Sequence, residues 1–207
     1  MKELIKNTLI LFAITLVAGA LLGFVFELTK EPRAAQEAKA IKVAYKSVYQ
    51  SADSFEIVNF VKNDMETVLT DKGITPKMDE ISEIVSAKDK DGKIIGYVFT
   101  ITAKEGYAGD IKYTVGIRND GTVTGISFLS IRETAGLGMK AKDASFKNQF
   151  KNKKVDSFVY TKTGATEANQ IDAITGATIT TNAVTNGVNA AVYGFGYLIW
   201  LGGGTVG

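Results

Sequence analysis

The sequence predicts an α+β protein: a single N-terminal transmembrane helix followed by a domain in which an antiparallel sheet is flanked by helices. Three observations carry that prediction. Twenty uncharged residues, NTLILFAITLVAGALLGFVF, lie between Lys6 and Glu27, and about 20 apolar residues span a bilayer as a helix. Two later segments alternate apolar and polar residues on either side of Asp91-Gly92 and Asp120-Gly121, the pattern of β-hairpins. After Asp172 no charged side chain occurs, and apolar residues recur at helical spacing.

The N-terminal run divides the chain into an anchor over residues 1–30, a helical connector over 31–70 and a domain over 71–207. Lys2 and Lys6 favour a cytoplasmic N-terminus, although Lys30 and Arg33 just beyond the run blunt the bias. A cleaved signal peptide is the competing reading, with Ala18-Gly19-Ala20 as its cleavage site. The run stays apolar past that site through Phe24 and Phe26, which favours a retained anchor over a signal or a buried soluble helix. Residues 31–52 are Ala-rich, and Pro32 fits a first helical turn. A second helix is expected from Phe55 to Leu69.

Two adjacent hairpins follow and imply an antiparallel sheet of four or more strands. One ends near Ala87 and the next covers Ile94–Thr102. Ile111, Tyr113 and Val115 alternate in the third, and the fourth covers Val123–Ile131. The segment KDASFKNQFKN reads as a short helix, with Asp143 as its cap and Phe146 and Phe150 on one face. From about Thr181, the positions Val184, Val188, Ala191, Val192, Phe195 and Leu198 have helical spacing. Ala190–Leu201 is apolar on nearly all sides but too short to cross a membrane. It reads either as a helix docked in the core or as a contact with the membrane or a membrane subunit.

Composition excludes several chemistries. The chain has no cysteine and no histidine. That removes thiolate nucleophiles, cysteine-held iron–sulfur clusters, imidazole bases and the usual haem and zinc ligands, so no metal site is expected. Any redox chemistry must then reside in a bound organic cofactor. The net charge of +2 comes with no basic stripe, which gives no case for nucleic acid. Neither AGLGMK nor the terminal GGGTVG matches a phosphate-binding Walker A loop, and the latter reads as a flexible tail. No Ser-x-x-Lys pair supplies a hydroxyl nucleophile with a base.

A tetrapeptide, TGAT, occurs twice, at Thr163–Thr166 and Thr175–Thr178. The second copy directly precedes the C-terminal helical pattern. Thr178 then stands near a helix N-terminus, where free N–H groups and the helix dipole favour phosphate. Gly176 and Ala177 let the backbone approach a bulky partner. Asp172 lies six residues before Thr178, whereas the first copy has Tyr160 at that offset and no helix start after it. On these grounds alone an ordinary turn and helix cap accounts for either copy.

The longer segment DAITGATIT resembles the flavinylation motif Asp-x-x-[Ser/Thr]-Gly-Ala-Thr of the covalent FMN-binding domain family. The resemblance implies FMN joined to the Thr178 hydroxyl by a phosphoester bond, with Asp172, Thr175, Gly176 and Ala177 around the phosphate and Thr166 unmodified. A second stretch, GYAGDIKYTVGIRNDGTVTGISFLSIRETAGLGMK, is similar to the family's hairpin and its Glu-Thr-Pro-Gly-Leu-Gly loop, with Ala135 where proline is usual. That likeness sets Glu133, Thr134, Gly136, Leu137 and Gly138 beside the flavin. Lys140 either offsets phosphate charge or is a solvated surface lysine.

With its anchor, the whole chain resembles the G subunits of Rnf electron-transport complexes. These carry electrons between ferredoxin and NAD and couple the transfer to Na⁺ or H⁺ movement. The likeness implies a plasma-membrane flavoprotein without catalysis of its own, whose FMN domain lies outside the cytoplasm. Its implied partners are the other membrane subunits and a flavin transferase during maturation. The C subunit of a sodium-translocating NADH:quinone reductase is the alternative. An anchored interaction domain with a vestigial flavin motif is the alternative of another class.

Overall fold

A computed structural model describes residues 1–201, apart from the side chains of Ala34 and Leu201; the tail 202–207 lies outside the described residues. Two compact units divide the chain, Met1–Lys42 and Val43–Gly207. Helix α1 runs continuously over Lys2–Val48 and contains Pro32. The proline therefore does not open a separate connector helix. It removes one backbone donor, and the Ala-rich sequence after it continues the helix. In the first unit, large apolar side chains from Leu4 to Leu28 are all exposed. An apolar helix with no polar face is matched to a lipid surrounding.

The second unit holds a five-stranded antiparallel meander in the order β1-β2-β3-β4-β5. Its strands are β1 (Ser54–Ile57), β2 (Asp79–Lys88), β3 (Ile94–Ala103), β4 (Ile111–Arg118) and β5 (Val123–Ser130). Both Asp-Gly turns fall at the expected hairpins, with Gly92 and Gly121 at positive φ. The expected helix over Phe55–Leu69 is shorter. Phe55, Glu56 and Ile57 pair with β2 as an edge strand, as a β-branched and aromatic run favours. Helix α2 begins only at Lys62 and ends at Asp71, burying Met65 and Leu69.

Strands β3 and β4 are buried on both faces. One face, through Phe99, Ile101, Tyr113 and Val115, meets helix α4, which spans Thr178–Leu201. The other receives the end of α1 and the residues just after it. Tyr45 donates a hydrogen bond to Glu83 and lies 3.2 Å from Thr100 Oγ1. Tyr49 donates to the Ile95 carbonyl, and burial pushes its hydroxyl up to about 12. Gly96 makes room for the Tyr49 ring, and Gly116 for Val48.

Helix α4 lies in the core for most of its length: Val184, Val188, Ala191, Phe195 and Tyr197 are buried, while Trp200 is exposed. Gly194 brings it against Ile81, Met65 and Phe99. Its lack of charge is thus explained by burial through Tyr197. The short helical segment is split into α3 (Ala144–Lys147) and a 3-10 turn at Asn148–Phe150. Asp143 stands at the cap position without a side-chain capping bond. Phe146 and Phe150 pack edge to face, 5.6 Å between ring centres.

These contacts make Gly96→Ala a test of the second sheet face. Its Cβ would collide with the Ile117 carbonyl on a neighbouring strand and with Tyr49. The expected cost is about 1–3 kcal/mol, read as a lowered midpoint in thermal unfolding. Gly19→Ala, which meets no neighbouring atom, should leave that midpoint unchanged.

Candidate flavin site

The two TGAT copies follow two short strands that lie side by side. Strands β6 (Val159–Thr161) and β7 (Gln170–Asp172) pair in parallel, so each strand is followed by a turn. Gly164 and Gly176 hold those turns at φ of 98° and 78°, conformations that glycine adopts without a Cβ penalty. Beyond this point the copies differ. The first is an exposed loop in which Gln170 Oε1 accepts from the Thr166 amide and hydroxyl, at 2.9 and 3.2 Å. The second runs directly into α4, with Thr178 as its first residue.

The start of α4 is built locally. Thr181 Oγ1 accepts from the Ile174 amide at 3.0 Å and donates to the Ala177 carbonyl at 3.0 Å, which fixes the turn leading into the helix. The first amides of a helix have no partner within it and carry the positive end of its dipole. No charged side chain occurs along this helix, so that field is not offset from within the element.

A cavity of about 500 Å³ opens beside this helix start, within the usual range for ligand sites. One wall is Gly176, Ala177 and Thr178, continued by Ile179 and Thr180. The opposite wall is the ETAGLG loop, through Glu133, Thr134, Leu137 and Gly138. Tyr107 closes a third side and is 68% exposed, so its ring stands open at the cavity mouth. A Cβ on Gly176 would stand 3.0 Å from Leu137 Cδ2, so the glycine sets the width between the walls.

Glu133 joins all three walls. Its carboxylate accepts from Thr180 Oγ1 at 2.9 Å and from the Ala108 amide at 3.2 Å, and the residue is 7% exposed. Gly138 and Gly106 both lie against it, where a Cβ would stand 2.6 and 2.9 Å from its oxygens. The loop is further closed by the Leu137 and Met139 amides, which donate to the Thr134 carbonyl. Gly136, at φ 76°, supplies the reversal.

Seven of the eleven residues singled out in the sequence therefore line one cavity. Four do not. Gly136 shapes the loop, and Thr175 precedes the wall. Lys140 lies in the 3-10 turn Gly138–Lys142, off the wall. Asp172 faces the first TGAT copy: its Oδ1 accepts from the Ala165 amide, and its own amide donates to Gln149 Oε1 at 2.6 Å. Tyr107, Ile179 and Thr180 are wall residues that the motifs did not single out. Tyr107 stands in the GYAG stretch, and the other two directly follow Thr178.

Fold and site together define an FMN-binding domain on an apolar N-terminal helix. Residues 106–193 match the FMN-binding domain family, and residues 1–48 match the RnfG N-terminal region. The chain is 34% identical to the G subunit of the Na⁺-translocating ferredoxin:NAD⁺ oxidoreductase complex of Acetobacterium woodii, over 92% of this chain and 91% of that one. It is 31% identical to the G subunit of the ion-translocating oxidoreductase complex of Methanosarcina acetivorans, over 92% and 94%. A shorter match, 39% identical over 64% of this chain and 70% of the other, is to the G subunit of the proton-translocating ferredoxin:NAD⁺ oxidoreductase complex of Clostridium ljungdahlii. The chain belongs to the family of G subunits of these ion-translocating oxidoreductase complexes. Shewanella oneidensis NqrC shares the fold, with a TM-score of 0.50 at 17% identity over 74% of this chain and 87% of that one; the quinone-reductase alternative is thus supported only as a related fold.

The bridging role of Glu133 has a direct consequence. Glu133→Ala leaves the Thr180 hydroxyl and the Ala108 amide without their acceptor, at about 1–3 kcal/mol. FMN incorporation, read from flavin absorbance per chain, should fall markedly. Glu133→Gln, which keeps one acceptor oxygen, should retain more flavin than the alanine variant.

Proposed function

We propose that the chain carries electrons through FMN bound covalently to Thr178, as the anchored flavoprotein component of an ion-translocating ferredoxin:NAD oxidoreductase complex. The observation that carries this reading is the contrast between the two TGAT copies. Thr178 opens α4 on the cavity wall, while Thr166 sits in an exposed loop bound to Gln170. A phosphoester on Thr178 would hold the phosphate at the positive end of an uncharged 24-residue helix.

The residues present fit the group. Tyr107, Leu137 and Ile179 offer apolar surface to a flat ring, and the buried Glu133 ties the walls together around it. Bound FMN supplies transfer of electrons singly or in pairs. The protein's part is to hold the ring, limit its solvent contact and keep it from dissociating. Asp172 serves the site indirectly, by tying the second turn to the first through Ala165. Lys140 is a more distant positive charge.

The relatives act within complexes, so the other membrane subunits are the partners. Attachment to Thr178 requires a flavin transferase. The exposed apolar run of α1 supports a membrane anchor, and the lysines before it support a cytoplasmic N-terminus with the flavin domain outside. The complex, and not this chain alone, would move the ion.

Co-expression with a flavin transferase, followed by intact-mass measurement, tests the attachment. Wild type should gain roughly 440 Da, the mass of an FMN phosphoester. Thr178→Ala should lose this gain, whereas Thr166→Ala should keep it. A flavin peptide mapped to Thr166 would contradict the assignment. The anchor is tested separately. The chain should stay in membranes after high-salt and alkaline washing, while a mature chain beginning near Leu21 would reveal a cleaved signal.

A further inference from the structure

Asp79 opens β2 in the middle of the domain and is 2% exposed. Neither of its carboxylate oxygens has a hydrogen-bond partner among the described residues. A lone buried carboxylate is costly, so such a group holds its proton instead. Its surroundings leave no other route to neutrality. Helix α4 packs against it at Gly187, where a Cβ would stand 2.9 Å from Asp79 Oδ1, and α4 contributes no charged side chain. From β4 the facing group is Tyr113, whose hydroxyl is already donated to the Val184 carbonyl at 2.8 Å. After β3 come Lys104 and Glu105. Lys104 is engaged by Glu80 at 2.8 Å and by the Pro76 carbonyl at 3.0 Å. Glu105 accepts from Asn186 Nδ2 at 3.3 Å and adds a second negative charge near Asp79. Burial first, then Glu105, push the Asp79 carboxyl up to about 8, with Lys104 opposing.

The same strand pair leads to the flavin cavity. Asp79 is the register partner of Ala103, and Tyr107 in the cavity wall is only four residues further along. Strand spacing and chain reach put the Asp79 backbone within about 20 Å of the Tyr107 backbone. The path between them carries Glu105, and the Ala108 amide that follows donates to Glu133. Charges at this separation inside protein are screened far less than charges on its surface.

We propose that Asp79 is a proton-binding site linked to the redox state of the flavin domain. The inference rests on the assignment of FMN to the cavity. The balance is simple. When the complex delivers an electron to the domain, one negative charge is added, and the share of Asp79 that stands as carboxylate falls as it takes up a fraction of a proton per electron from solvent. When the electron leaves to the acceptor, the same share of O–H bonds breaks and that fraction of a proton returns to solvent. The linkage operates where both forms of Asp79 are populated, in the alkaline half of the physiological range.

The sign of the stability effect follows from the same group. The folded state keeps the proton to about pH 8, while the unfolded chain loses it near the ordinary value of 3.8. Between these limits the folded state binds more protons, so stability falls as pH rises and levels off above the folded value.

The test uses the full chain in detergent, with and without FMN, as wild type and as Asp79→Asn, a neutral isostere of the protonated acid. In FMN-free protein, the thermal midpoint of wild type should fall as pH rises towards 8, and this fall should shrink in Asp79→Asn. In FMN-loaded protein, redox-difference infrared spectra near pH 8 should show a protonated-carboxyl band that is lost in Asp79→Asn. The flavin midpoint potential should also depend less on pH in that variant. Equal stability profiles for the two proteins would overturn Asp79 as the proton-binding group. A normal stability difference with an unchanged infrared band and an unchanged potential profile would overturn the linkage while leaving the flavin assignment intact. Failure of wild type to take up FMN would overturn the flavin assignment and the linkage with it, and the FMN-free arm would still report Asp79 protonation.

Discussion

Everything in the domain depends on how the uncharged helix α4 lies along the sheet. Its burial supplies much of the core, through Val184, Val188, Ala191 and Phe195. Its first turn forms a wall of the candidate flavin cavity. The two roles are one constraint, because a helix held along its length by packed side chains cannot shift its N-terminus independently. Glycines at 187 and 194 let α4 come close enough to the strands for this. Tyr113 adds a hydrogen bond from the sheet to the helix backbone at Val184. The end of the cavity at the start of α4 is therefore positioned by the core.

The rest of the cavity is tied to α4 through a buried carboxylate. Glu133 reaches the helix at Thr180 and the preceding loop at Ala108. Three segments distant in sequence converge on one side chain, and the small residues Gly106 and Gly138 exist where that side chain passes. The loop read from the sequence as a flavin contact is thus a brace between the cavity walls. The first TGAT copy has a tie of its own: Asp172, which begins the second motif, accepts from the Ala165 amide of the first.

Much of this was legible in the sequence, for identifiable reasons. The long apolar N-terminal helix followed from an uninterrupted apolar run, and the hairpins from Asp-Gly between alternating residues. A helix start near Thr178 followed from TGAT joined to helical spacing read from about Thr181, and α4 begins at Thr178 itself. What was missed depended on distant partners. Phe55–Ile57 became a strand because β2 offered an edge, which no local pattern reveals. The double burial of β3 and β4 required the end of α1 to fold onto the sheet through Tyr45 and Tyr49. The orientation of Asp172 away from the cavity depended on the parallel pairing of β6 with β7. Tyr107 lay within a family motif, but its place in the wall follows from the bend between β3 and β4.

The central claim is that flavin occupies the cavity at the start of α4, and a crystal structure of the FMN-loaded chain tests it most directly. A larger groove of about 930 Å³ lies toward the other end of the same helix, lined by Lys72, Ile117, Val155, Tyr193 and Phe195, and offers a real alternative. The account predicts ring density against Tyr107, Leu137 and Ile179, with phosphate density continuous with Thr178 Oγ1. Flavin density in the groove beside Lys72, or phosphate density continuous with Thr166, would contradict it.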